Sequence, residues 1–153
     1  MADQHDRQIS TAAELRREMA ELEHEKLRRY MLHKEAADRA FRDYVDHFLH
    51  DHLGRKDFKD MRRKVLDAAR HGRFETMVMR FPSTLCADGG RAVNNQLEGW
   101  ESTLPGKAHE AYEVWRKVGR DKGFRLIARV LDYPGGKPGD VGLFVSWAPP
   151  VVA

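Results

Sequence analysis

Cys86 is the only thiol in a chain of 153 residues. The stretch around it, Phe81-Pro-Ser-Thr-Leu-Cys-Ala-Asp-Gly-Gly-Arg91, gathers many of the residue types that do chemistry. With Asp88 two positions on and His109 in the same half, a nucleophile, a base and an orienting acid are all present. Cysteine catalysis needs a depressed thiol pKa and a histidine within hydrogen-bond reach. Spacing alone supplies neither. A small apolar residue tucked under a strand end is the commoner fate of a free cysteine.

Asp88, Gly89, Gly90 and Arg91 could instead form a backbone nest with a guanidinium beside it, suited to a phosphate or carboxylate. Arg80 and Asn94 would add donors. The plainer reading is a tight turn: Asp88 accepts local amides, a glycine takes positive φ and Arg91 pairs with a nearby acid. No strand-GxGxxG-helix context surrounds it. The second glycine-rich segment, Tyr133 to Asp140, lacks GxxxxGK[ST] and reads as a hairpin connection that can still serve as a recognition surface.

Asp43, His47, His50 and Asp51 fall at helical spacings of three and four, with His52 next in line, so up to three could face one metal ion. A complete site needs another ligand, and no HExxH or CxxC accompanies the cluster. Histidines on the wet face of a charged helix are the alternative. Arg62-Arg63-Lys64, with Lys56 and Lys59, could touch nucleic acid. Asp57, Asp60 and Asp67 interleave with them, and no aromatic stacking platform is present, which favours a solvated helix face.

These candidates ride on a simple succession of elements. Ser10-Thr11 with Glu14 reads as a capping box, and no Gly or Pro follows until Gly54. Leu15, Met19, Leu22, Tyr30, Ala37, Phe41, Tyr44 and Phe48 form one stripe at helical spacing. Met19, Tyr30 and Phe41 are eleven apart, which predicts a straight or weakly right-handed partner helix. About 40 residues at 1.5 Å each make an arm of about 60 Å. The stripe must be buried somewhere: against a second copy along Ala37 to Leu49, or with Phe41, Tyr44 and Phe48 on the chain's own domain. Gly54 reads as a left-handed cap, Asp57 as the start of a second helix through His71, and Gly72 as its end. Phe58, Met61, Val65, Leu66 and Ala69 make that helix's apolar face, and a helical hairpin results.

In the second half, Met77, Met79 and Phe81 alternate with Phe74, Thr76 and Val78 until Pro82. Lys107 to Val118 is an amphipathic helix ended by Gly119. Residues 124–133 and 141–147 read as strands. The helical crossover predicts a parallel first pair and the short loop an antiparallel second pair. So small a sheet needs one or both N-terminal helices to cover it. The resulting fold class is α+β, with residues 1–72 as helical arm and second helix and residues 73–153 as the small mixed domain.

The composition is 33% charged and 41% hydrophobic, with a formal net charge of +3. Acids and bases are spread through both halves, without the concentrated positive field of a nucleic-acid binder. No apolar run is long enough to span a membrane, and one cysteine cannot make an internal disulfide, which suits a cytoplasmic setting.

Arg80-Phe-Pro-Ser-Thr-Leu-Cys-Ala-Asp-Gly-Gly-Arg-Ala-Val-Asn94 resembles a stretch in a family of small bacterial proteins associated with alphaproteobacteria. So do Trp100, Thr103-Leu104 with Gly106, and Pro134-Gly-Gly-Lys-Pro-Gly-Asp-Val-Gly142 leading to Trp147. The resemblance covers roughly the second half of the chain. It implies a fold and a cytoplasmic bacterial home, and it brings no assigned activity and no catalytic residues. Residues and resemblance together point to a cytoplasmic interaction module without a cofactor. It would self-associate through its arm and present a surface from Ser83 to Asn94, with Trp100 and the Tyr133 to Asp140 loop, to an unknown protein or a small anion. Nucleic-acid-associated regulation and a small cysteine-dependent enzyme are the alternatives.

Overall fold

A computed structural model describes residues 11–151. Helix α1 (Ala12–His50) opens with the expected box: Thr11 Oγ1 accepts from the Glu14 amide at 3.1 Å, and Glu14 Oε2 accepts from the Thr11 amide at 3.0 Å. Ser10 lies outside the described residues. Then come α2 (Arg55–Arg70), β1 (Glu75–Pro82), α3 (Arg91–Asn94), α4 (Gly106–Val114), β2 (Arg125–Val130) and β3 (Asp140–Ser146). The protein is α+β, and among the described residues no helix is long and apolar enough to cross a membrane. Two compact units, Met1–Val45 and Asp46–Ala153, divide it. Helix α2 therefore belongs to the same unit as the sheet, because it packs beside β1.

Gly54 is not the left-handed end of α1. It has extended backbone and is the N-cap of α2, where its amide donates to Asp57 Oδ2 at 2.8 Å. Asp57 thus acts from inside the first turn instead of at the cap. Gly72 ends α2 as expected, with φ +75°. The face that α2 buries is rotated slightly from the expected one: Ala68 is buried and Met61 and Val65 half-buried, while Phe58, Leu66 and Ala69 stay exposed.

The sheet order is β1-β3-β2, with both pairings antiparallel. The expected β2–β3 hairpin is present. β1 and β2 do run in the same direction, but β3 lies between them, so the expected parallel pairing is replaced by β1–β3. A hairpin that folds its second strand inward gives every pair antiparallel ladders and leaves the parallel strands apart.

The strict alternation expected in β1 also fails, at a bulge between Met77 and Met79. Met77 sits opposite Phe144 and Met79 opposite Leu143, which inserts Val78 as an extra residue. Val78 and Phe81 are buried as a result. On the core side they meet Val141 and Leu143, both fully buried, with Leu104, Ala108 and Ala111. On the opposite side Arg129 reaches from β2 across Phe144 to β1. Its guanidinium lies 4.8 Å from the Phe144 ring centroid and grips both Glu75 oxygens at 2.7 and 3.0 Å.

The last turn of α1 docks through Phe48, whose ring centroid is 5.2 Å from that of Phe81. Gly106, at the start of α4, has φ +39° and lies against the Phe48 carbonyl. A Cβ there would also come within 2.7 Å of Leu49 Cα. Gly106→Ala combines backbone strain with overpacking and should cost about 2–5 kcal/mol, read as a lower denaturant midpoint. A change below about 0.5 kcal/mol would show that the contact is not tight.

The hydrogen bond from Arg129 holds the Glu75 carboxyl below its ordinary value. A depressed folded-state pKa gives stability that is present above the unfolded value and is lost as pH falls through the folded one. Glu75→Gln should therefore lower stability at neutral pH and flatten the acid limb of the stability profile. An unchanged acid limb would contradict the pairing.

Candidate functional site

Pro82 ends β1 and turns the chain into a short 3-10 turn, Ser83–Leu85, which begins the loop expected to carry the site. Ser83 is almost fully buried. Its amide donates to the Gly139 carbonyl and its hydroxyl to the Pro138 carbonyl, both at 2.9 Å. Gly90 presses on the same residue: its φ is +89°, and a Cβ there would lie 2.8 Å from Ser83 Cβ. Two further contacts join the loops. Tyr133 donates its hydroxyl to Asn94 Oδ1 at 2.7 Å, and Arg80 Nε donates to Asp140 Oδ2 at 2.8 Å. The segment after β1 and the hairpin connection are thus one stitched surface.

The hairpin side is fixed from within. Asp132 accepts from the Asp140 amide through Oδ1 at 2.7 Å and from the Gly139 amide through its backbone carbonyl at 2.9 Å. Neither Ser83 nor Asp132 stood out in the sequence. Their roles depend on partners 55 and 8 positions away, which no local pattern signals.

Inside the first loop the nest is not open. Asp88 accepts from the Gly90 amide through Oδ1 at 3.0 Å and from the Ala92 amide through Oδ2 at 2.8 Å, while the Gly89 amide donates to the Cys86 carbonyl. Gly89 and Gly90 are both left-handed, at φ +70° and +89°. The Gly90 and Ala92 amides are used by Asp88 at the start of α3, a helical turn that sequence periodicity is too short to reveal. The tight-turn reading is the one observed. Arg91 departs from it: its guanidinium is exposed and makes no ion pair among the described residues.

Cys86, His109 and Asp88 do not form a catalytic set. Cys86 is only 5% exposed and belongs to the core. Burial, and secondarily the Asp88 carboxylate, push its thiol up to about 11. His109 is exposed on α4, its ring 6.4 Å from that of Tyr112. Both Asp88 oxygens accept from backbone amides of their own loop, and among the described residues no hydrogen bond joins Asp88 to His109.

The histidine cluster resolves into local pairs. His47 meets Asp51 at 2.6 Å, and His50 meets the Asp46 carbonyl at 3.0 Å and its carboxylate at 3.1 Å. Among the described residues no three His, Cys, Asp or Glu side chains converge as a metal centre requires. Asp43 joins none of these pairs.

Trp100 meets Tyr112 edge-on, with centroids 6.4 Å apart. With Val93, Gln96 and Ile127 it lines a cleft of about 270 Å³. Gln96, at φ +51°, is the one non-glycine residue with positive φ among those described. Comparison with protein-family models, curated proteins and solved structures finds no match.

A thiol held near 11 is roughly one part in ten thousand thiolate at neutral pH, and the thiolate is the reactive form. Iodoacetamide should therefore leave native Cys86 unmodified at pH 7 over hours and label it within minutes in denaturant. Rapid native labelling would restore the enzyme reading.

Proposed function

We propose that this protein works by binding, as an interaction module that self-associates through its helical arm. The observation that carries this reading is the exposure of the arm. Every residue from Thr11 to Tyr44 is exposed, including Met19 at 65%, Tyr30 at 63% and Phe41 at 53%. These three repeat at eleven residues, so each recurs on the same side of the helix. A helix of this length draws most of its stability from burying an amphipathic face. Local pairs such as Arg29 with Glu25 contribute only about 0.3–0.5 kcal/mol each. A second copy offers the same stripe at the same spacing, which makes it the natural cover.

The stitched loop surface is the second half of the proposal. Arg91 and Lys137 are exposed cations there without ion pairs among the described residues, and Tyr133 with Asn94 holds the two loops in one arrangement. Such a surface suits an acidic protein segment or a small anion. Nucleic acid is less well supported, because the basic run on α2 is interrupted by acids and Arg63 already pairs with Asp60 at 3.1 Å. A bacterial cytoplasm, as the family resemblance implies, accords with a single buried thiol.

Light scattering on the full chain tests the arm. The mass should be at least twice the 17.7 kDa of one chain, and Met19→Lys with Tyr30→Lys and Phe41→Lys should return it to one without loss of the sheet's circular dichroism. A wild-type monomer at all concentrations would overturn self-association.

A further inference from the structure

The unit from Asp46 onward contains an apolar cleft apart from the loop surface. One wall is α2, where Phe58 and Leu66 stay exposed. The other wall is the end of α4, where the helix does not continue regularly to Gly119 as its sequence predicts. It widens at Trp115–Gly119 into a π-turn, with the Arg120 amide donating to the Trp115 carbonyl at 2.8 Å. Trp115 Nε1 donates to the Phe124 carbonyl at 2.8 Å, and Gly119 leaves room for the indole beside it. This turn lets Val114 and Val118 line the cleft while both remain exposed. Single π-turns within α-helices recur at functional sites. The floor is the sheet core, Val78, Leu126 and Val145.

The cleft encloses about 480 Å³, within the roughly 300–1,000 Å³ of small-molecule sites. No acid and no uncharged polar side chain lines it. The two polar lining residues are Arg62 on α2 and Lys122 just beyond the π-turn. Both are exposed, and neither makes an ion pair among the described residues. The lining itself is almost wholly apolar, so Arg62 and Lys122 contribute chiefly their aliphatic stems to it, and the pair is complementary to a molecule with an apolar body and an anionic head at the cleft's edge.

We propose that the cleft between α2 and the π-turn of α4 binds a free aliphatic carboxylate. Its chain would lie on Val78, Leu126 and Trp115, and its head would meet Arg62 and Lys122. A cationic amphiphile would face two like charges, and an uncharged one would leave both cations unanswered. A partner's helix needs roughly 800 Å² on each side for a stable complex, whereas a concave, molecule-sized cleft with a core floor suits a compact ligand. The inference is independent of self-association by the arm.

Titration calorimetry on the full chain, at pH 8 and below micelle formation, tests it with octanoate, decanoate and dodecanoate. Dodecyltrimethylammonium serves as the charge-reversed control. Binding should saturate at one carboxylate per chain and tighten roughly tenfold for each two added methylenes. It should weaken about tenfold or more in Arg62→Glu with Lys122→Glu, two exposed positions whose exchange leaves the fold intact by circular dichroism. Absence of saturable dodecanoate binding would overturn the proposal, as would equal binding of the cationic amphiphile. Uptake only from phospholipid vesicles would point to a membrane surface instead. Loss of the light-scattering mass in Leu66→Glu, without carboxylate binding, would assign the cleft to a second copy. Either result also refutes a free carboxylate ligand.

Discussion

Phe48 is the one buried residue of a helix 39 residues long. Its ring meets Phe81 at the end of β1, and Gly106 closes over its carbonyl with no space for a side chain. That single turn settles how α1 ends and where α4 begins. Thirty-odd exposed helical residues with a repeated apolar stripe gain little from intrinsic propensity, which is the ground for the self-association proposed above.

The same economy of partners runs through the loops. Asp88, Ser83 and Asp132 are chemically able side chains, and each spends its capacity on backbone groups of the joint. Cys86 is buried among apolar neighbours, which favour the neutral thiol. What the joint leaves outward is charge and hydrogen-bonding surface, Arg91, Lys137 and the Tyr133–Asn94 pair. This distribution is what the proposed recognition surface rests on.

The long helix was legible because composition and a capping box both act locally, within four residues. Strands β2 and β3 and their hairpin were legible for the same reason: alternation and a glycine-proline turn are neighbouring signals. Most of the failures are at longer range. The strand order depended on β3 folding inward between β1 and β2, a decision made by which ladder buries Val141 and Leu143. The bulge at Val78 depended on register with Phe144 and Leu143. Gly54 read as a helix end because a glycine after a helix usually is one, whereas here the chain leaves α1 earlier and reuses Gly54 to start α2. For the candidate site, the meeting of the two loops followed from topology, but the use of the Gly89, Gly90 and Ala92 amides within the loop did not. The widened end of α4 had no periodic signature, since Val114, Trp115 and Val118 fit an ordinary helix equally well.

The central claim is that the arm's apolar stripe is covered by another copy of the chain. Amide hydrogen exchange of the full-length protein, followed over a wide range of protein concentration, addresses it directly. The account predicts that amides between Leu15 and Phe41 exchange more slowly as concentration rises, while those of β1, β3 and α4 keep constant rates. Exchange in the arm that is equally fast at every concentration would contradict it.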